Sequence, residues 1–218
     1  KPTQAPTEAP TEPPVQQDDM FIQLLKENSL EESSLNSSQL VFVDADESTL
    51  TCKIYCYQKD DEGLWTQALD PIDGYVGNAG IDEFVSPYEE KTPVGVFAIE
   101  YAFGSQMNPG TGLQYSQFTP TDYWITDPNS INYNRWMSDA ENPDWTSAQW
   151  LYEYTVSYPH AIVFDYNRSS VDRTQGCAKF LHVSKTQTAG GVGMAESDLE
   201  AMLYWLNISY SPYVCISK

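Results

Sequence analysis

His182 is the residue best placed to do chemistry. It ends the apolar run Phe180-Leu181-His182 and is followed by the polar, Gly-rich stretch SKTQTAGGVG, which leads to a helical pattern at Ser197. An imidazole at a strand end facing such a loop can serve as the base of an acyl-transfer site, with loop N–H groups as oxyanion donors. The other histidine, His160, follows Pro159 at the start of a strand and reads as structural. The four cysteines are Cys52, Cys56, Cys177 and Cys215. Cys52 and Cys56 fall on one face of a strand-like segment, ~13 Å apart at strand rise, too far for a disulfide. That leaves Cys177 and Cys215 as their disulfide candidates, with two pairings open. Cys177 lies five residues before His182 on the same strand, an odd separation that points the two side chains to opposite faces, so Cys177 should not meet the imidazole. Cys52 and Cys56 do not form a CxxC pair and no His stands near them, so no metal site is expected, and no cofactor. The acid clusters Asp44/Asp46/Glu47, Asp60/Asp61/Glu62 and Glu89/Glu90 lack calcium-loop spacing and read as solvated loop charge.

Strands have to position these groups. LVFVDA, TLTCKIYCYQ, VGVFAIEYAF, HAIVFDYN, AKFLHVS and the terminal YVCISK are rich in Val, Ile, Phe and Tyr and are separated by turn residues. Ser197 and Glu200 have capping-box spacing, and Leu199, Met202, Leu203 and Leu206 follow at helical spacing. A short helix is expected within 20–36, with Asp19 as N-cap and Phe21, Leu24 and Leu25 on one face. Residues 105–155 read as loop, rich in Trp, Tyr, Asn and Pro. Residues 1–19 repeat P-T-(Q/E)-A and hold five of the 14 prolines, the composition of an extended linker reaching roughly 60 Å. The expected organisation is a linker at 1–19, a helical lead-in at 20–36 and a mainly β domain at 37–218.

Four segments together resemble the L,D-transpeptidase catalytic domain, the YkuD-like fold: KTPVGVFAIEYAFG (91–104), DYWITDPNSINYNRW (122–136), AIVFDYNR (161–168) and FLHVSKTQTAGGVGMAESDLEAMLYWL (180–206). The likeness is to the secreted Gram-positive branch, whose loop reads T-A-G-C-V before a helix. It implies a β-sandwich or barrel with few helices, one of them following the catalytic loop. It also implies a cell-wall enzyme whose Cys thiolate attacks a peptidoglycan stem peptide, releases D-alanine, and passes the acyl group to another stem. By this resemblance His182 is the base, Gly190 belongs to the oxyanion loop, and Thr188 with Tyr123, Trp124, Tyr166 and Asn167 shapes the substrate groove. At the nucleophile's position stands Gly191, which has no side chain to attack with. Ser184, Thr186 and Thr188 are too close in sequence to His182 to copy the family geometry. The form in hand is therefore expected to be inactive, as a natural pseudoenzyme or an engineered knockout. A designed knockout would more usually carry Ala or Ser.

Composition narrows the partners. With 11 Lys and Arg against 31 Asp and Glu, the formal charge is −20, which excludes the basic face that nucleic acid needs. It also disfavours anionic lipid, and no apolar run is long enough to span a bilayer. The chain starts at Lys1 without an apolar leader, as a processed or truncated form would. The expectation is an extracellular, wall-associated protein of a Gram-positive bacterium that binds peptidoglycan stem peptides. The alternative is a non-catalytic wall-binding, adhesion or sugar-binding module on the same scaffold. Oligomeric state is left open.

Overall fold

The computed structural model describes residues 18–32, 35–139, 141 and 143–218. The linker expected at 1–19 therefore lies outside the described residues except for its last two. In chain order the strands are β1 (Gln39–Asp46), β2 (Thr51–Lys59), β3 (Trp65–Gln67), β4 (Ile72–Tyr75), β5 (Ile81–Asp82), β6 (Thr92–Pro93), β7 (Gly95–Gly104) and β8 (Tyr115–Gln117). They continue as β9 (Asp122–Ile125), β10 (Trp136–Ser138), β11 (Ala148–Trp150), β12 (Ala161–Phe164), β13 (Phe180–Val183), β14 (Val192–Met194) and β15 (Tyr213–Ser217). Among the described residues two α-helices accompany them, α1 (Asp19–Glu27) and α2 (Glu196–Trp205). The chain is mainly β, as its alternating apolar runs predict.

The largest sheet runs β1-β15-β7-β12-β13-β14-β4-β2, and β2 pairs back onto β1. The sheet thus closes on itself as a barrel, which leaves no free edge along the ring. β3 and β8 are appended to β2 and β7. Period-two alternation decides which side chains fill the barrel. On β1, Val41, Val43 and Ala45 join the interior cluster, whereas Leu40 and Phe42 join a second cluster with α1. α2 contributes Leu199, Met202 and Leu203 to the interior cluster, and its C-cap residue Leu206 joins them.

Two outer clusters carry the remaining elements. α1 buries Phe21 and Leu24 against Tyr57, Trp65 and Cys215. Its N-cap is Asp18, whose Oδ1 accepts the Met20 N–H at 2.8 Å, one residue before the expected Asp19. The segment expected to be loop, 105–155, instead holds the three-stranded sheet β10-β9-β11. This sheet packs Trp124 onto Phe103 and Phe180 over the outside of β7 and β13.

The capping box expected at Ser197 and Glu200 does not form. α2 begins at Glu196, its cap residue Ala195 offers no side-chain acceptor, and Ser197 already lies in the first turn. No disulfide joins the four candidate cysteines in this structure, where all are free and buried. Cys52 and Cys56 face the barrel interior, whereas Cys215 on β15 faces α1 on the outside, so the sheet separates them. Among the described residues no helix is long and apolar enough to cross a membrane.

Candidate functional site

The site is built where β13 ends and the loop into β14 begins. β13 alternates Phe180 outward, Leu181 inward and His182 outward, so His182 shares the outer face with Phe180. The Tyr158 ring meets both edge-on, at 5.6 Å from Phe180 and 5.5 Å from His182. His182 Nδ1 lies 3.0 Å from the Val183 carbonyl oxygen. A carbonyl only accepts, so Nδ1 carries the proton and Nε2 is left as a bare acceptor. Burial pushes the His182 pKa down to about 4, against backbone carbonyls of Val183 and Ser157 that favour the charged form. The imidazole is therefore neutral at pH 7, and its open edge lines a cavity of about 380 Å³.

The loop opposite is fixed from below. Thr188 Oγ1 donates to the Gly191 carbonyl at 2.6 Å and accepts from Gly190 N at 3.0 Å. Thr92 Oγ1 donates to the same Gly191 carbonyl at 2.8 Å. Lys179 Nζ donates to the carbonyls of Ala189 and Glu89, both at 3.1 Å. Burial lowers the Lys179 pKa to about 8. Gly190 adopts φ +109°, and a Cβ there would overlap Lys179 Nζ, so both conformation and space require glycine.

Position 191 is aimed at the imidazole. An ideal Cβ on Gly191 would lie 2.9 Å from His182 Nε2, 2.8 Å from its Cδ2 and 2.5 Å from the Phe180 carbonyl oxygen. A side chain at this position would therefore point at the ring. The room for one is absent, because the backbone has closed to within contact distance of the missing atom.

Of the residues singled out in the sequence, His182, Gly191 and Thr188 line one cavity. The Gly190 N–H is committed to Thr188 Oγ1 and is not free for an oxyanion. Trp124 is fully buried in the outer core, where its Nε1 donates to Asn134 Oδ1 at 3.0 Å. Tyr123 is half-buried on β9, beside Met137 and Trp150. The Tyr166 hydroxyl donates to the Val85 carbonyl at 3.2 Å. Asn167 takes φ 54° and donates from Nδ2 to the carbonyls of Asp172, Gln175 and Gly176, which organises its own loop. None of these four lines the His182 cavity. His160 is buried, with Nδ1 2.8 Å from the Tyr115 hydroxyl and Nε2 3.5 Å from Glu200 Oε1.

Sequence reasoning missed Cys177 and Lys179, which line the same cavity as His182. The parity argument against Cys177 assumed one continuous strand. β13 starts only at Phe180, and Ala178 at φ 53° breaks the extended backbone between them. Burial pushes the Cys177 thiol pKa up, with Tyr133 and the Lys179 cation opposing. Lys179 left one signal in the sequence, a lone cation between apolar residues at the entry to the strand. Glu89 and Glu90 add acidic groups to the cavity wall. Among the described residues no cluster of His, Cys, Asp and Glu could hold a metal ion. No family model, curated protein or solved structure matches this chain.

Proposed function

We propose that this chain is an L,D-transpeptidase-like protein of peptidoglycan remodelling that lacks its nucleophile, holding stem peptides in the His182 cavity without turning them over. The observation that carries the reading is the direction of the missing Gly191 Cβ, toward His182 Nε2 at 2.9 Å. A thiol on that vector would meet the bare imidazole acceptor, the arrangement needed to activate a cysteine. Without it no thioester can form. Deleting a nucleophile from such a unit costs on the order of 10⁴–10⁶ in rate. The neutral imidazole and the cavity remain available to bind a peptide.

On this reading the protein works outside the cell, against the wall of a Gram-positive bacterium. The experiment is titration of a stem tetrapeptide into isotopically labelled protein, with parallel assay for released D-alanine. Shifts at His182, Thr188 and Gly191 without release are the expected result. Shifts confined to other surfaces, or none at millimolar peptide, sink the reading. Turnover would show that another group attacks.

A further inference from the structure

A second cleft, of about 560 Å³, lies between β7, β8 and β10 and shares no lining residue with the His182 cavity. Its volume falls within the roughly 300–1,000 Å³ usual for small-ligand sites. We propose that this cleft binds a neutral saccharide, stacked on Trp136 and hydrogen-bonded by Gln114 and Ser116.

The wall is pre-set by Asp122 on β9. Its Oδ2 accepts from Thr119 N at 2.6 Å and Thr119 Oγ1 at 2.8 Å. Its Oδ1 accepts from Trp136 Nε1 at 3.0 Å and from Ser138 Oγ. Four donors thus fix one carboxylate, and through it the indole of Trp136. That indole also meets Phe103 edge-on at 5.4 Å, so it presents a fixed aromatic surface to the cleft. Tyr101, whose ring centroid lies 5.5 Å from the Arg168 guanidinium, also lines the cleft.

The chemistry of the lining selects the ligand. Among the described residues that line it no aliphatic side chain occurs, which disfavours a lipid or an apolar peptide side chain. Among those same residues Lys, Arg and His are absent too, so none of them pairs with a phosphate or carboxylate. Asp122 is already saturated, which leaves Asp139 as the one uncommitted charge of the lining. The Gln114 amide and the Ser116 hydroxyl have no side-chain partner among the described residues. Amides and hydroxyls both donate and accept, as sugar hydroxyls do. An aromatic face accommodates the apolar C–H face of a pyranose ring. A rigid aromatic plate beside unpaired two-way hydrogen-bonding groups therefore suits a neutral sugar better than a charged or apolar ligand.

The test uses the full chain, with chitotetraose and cellotetraose as separate probes, followed by amide chemical shifts and calorimetry. Expected are shifts at residues 114–117 and 136–138 with either probe, and tighter binding of one reports whether the acetamido group is read. Gln114→Ala removes an exposed side chain without a protein partner and should leave the fold intact. It is expected to weaken binding about 2- to 10-fold, the worth of one hydrogen bond. Trp136→Phe, which keeps a ring but loses the Asp122 bond, is expected to weaken it further. The proposal is overturned if neither saccharide shifts these residues at concentrations on the order of 10 mM. Binding unchanged in both variants also overturns it, as does preference for a cationic amine ligand with salt-sensitive affinity. It does not rest on the reading of the His182 cavity, whose stem-peptide titration succeeds or fails separately.

Discussion

The Cβ that Gly191 lacks would stand 2.9 Å from Nε2 of His182 and 2.5 Å from the carbonyl oxygen of Phe180. The first distance is a functional relationship and the second a steric one, and they pull in opposite directions. Gly191→Cys should place a thiol beside the imidazole, yet only after the loop shifts away from the Phe180 backbone carbonyl. Overpacking of this kind costs about 1–3 kcal/mol. We expect a lowered melting temperature together with a covalent carbapenem adduct by mass spectrometry, abolished by adding His182→Ala. A folded Gly191→Cys protein that forms no adduct would count against the transpeptidase-like reading.

Gly190 is the stricter of the two glycines. Its φ of +109° is a region that side chains avoid, and the space beneath it is taken by Lys179 Nζ and the Lys91 carbonyl. Gly190→Ala is expected to cost at least about 1–3 kcal/mol from backbone strain alone. Lys179→Met should destabilise by removing the donor shared by Ala189 and Glu89, leaving two carbonyls without it. Urea denaturation of both variants checks this. Stability within error of the parent for both would mean the loop is not held as described.

His182 predicts a sign for the pH dependence. Its folded pKa of about 4 lies below the ordinary value of 6.5, so the unfolded chain binds more protons between those limits. The contribution is therefore fully present above pH 6.5 and is lost as pH falls toward 4. Its ceiling is about 3 kcal/mol, and the partly open edge of the ring makes the real figure smaller. His182→Gln should flatten the loss of stability across that window relative to the parent. Parallel urea-unfolding curves at pH 7 and pH 4.5 give the comparison, and an unchanged difference would refute it.

Much of the barrel was legible because its long strands carry unbroken alternation. In β1 and β2 the inward residues are apolar at every second place, and the strand positions follow. β9, β10 and β11 were not legible, since each is only three or four residues long and sits among turn-forming Asn, Asp and Pro. The strand-His-loop-helix order located His182 and Gly191. It did not reveal Cys177 or Lys179, because face parity holds only where the backbone stays extended and Ala178 does not. Trp124, Tyr166 and Asn167 were singled out as groove residues, yet local sequence does not encode depth beneath a distant sheet.

Trp124 separates packing from binding. It is fully buried, it stacks on Phe103 at 6.2 Å, and the Arg168 guanidinium lies 4.9 Å from its ring centroid. Trp124→Ala is expected to cost about 3–5 kcal/mol. The gentler Trp124→Phe should lose the bond to Asn134 and part of the packing while leaving stem-peptide affinity within twofold. A large affinity loss in a stable Trp124→Phe protein would restore Trp124 to the groove.

The cysteines give the last prediction. Burial pushes the thiols of Cys52 and Cys215 up to about 12 and raises those of Cys56 and Cys177 as well. The thiolate is the reactive form, so none of the four should alkylate quickly in the native protein at pH 8. Cys177 alone borders the His182 cavity, and it should be the first to react as pH or reagent concentration rises. Unfolding without reductant should then expose all four to iodoacetamide, because all four are free thiols in the native structure. Mass spectrometry counts the adducts. Fewer than four on the denatured, unreduced chain would mean that a disulfide forms.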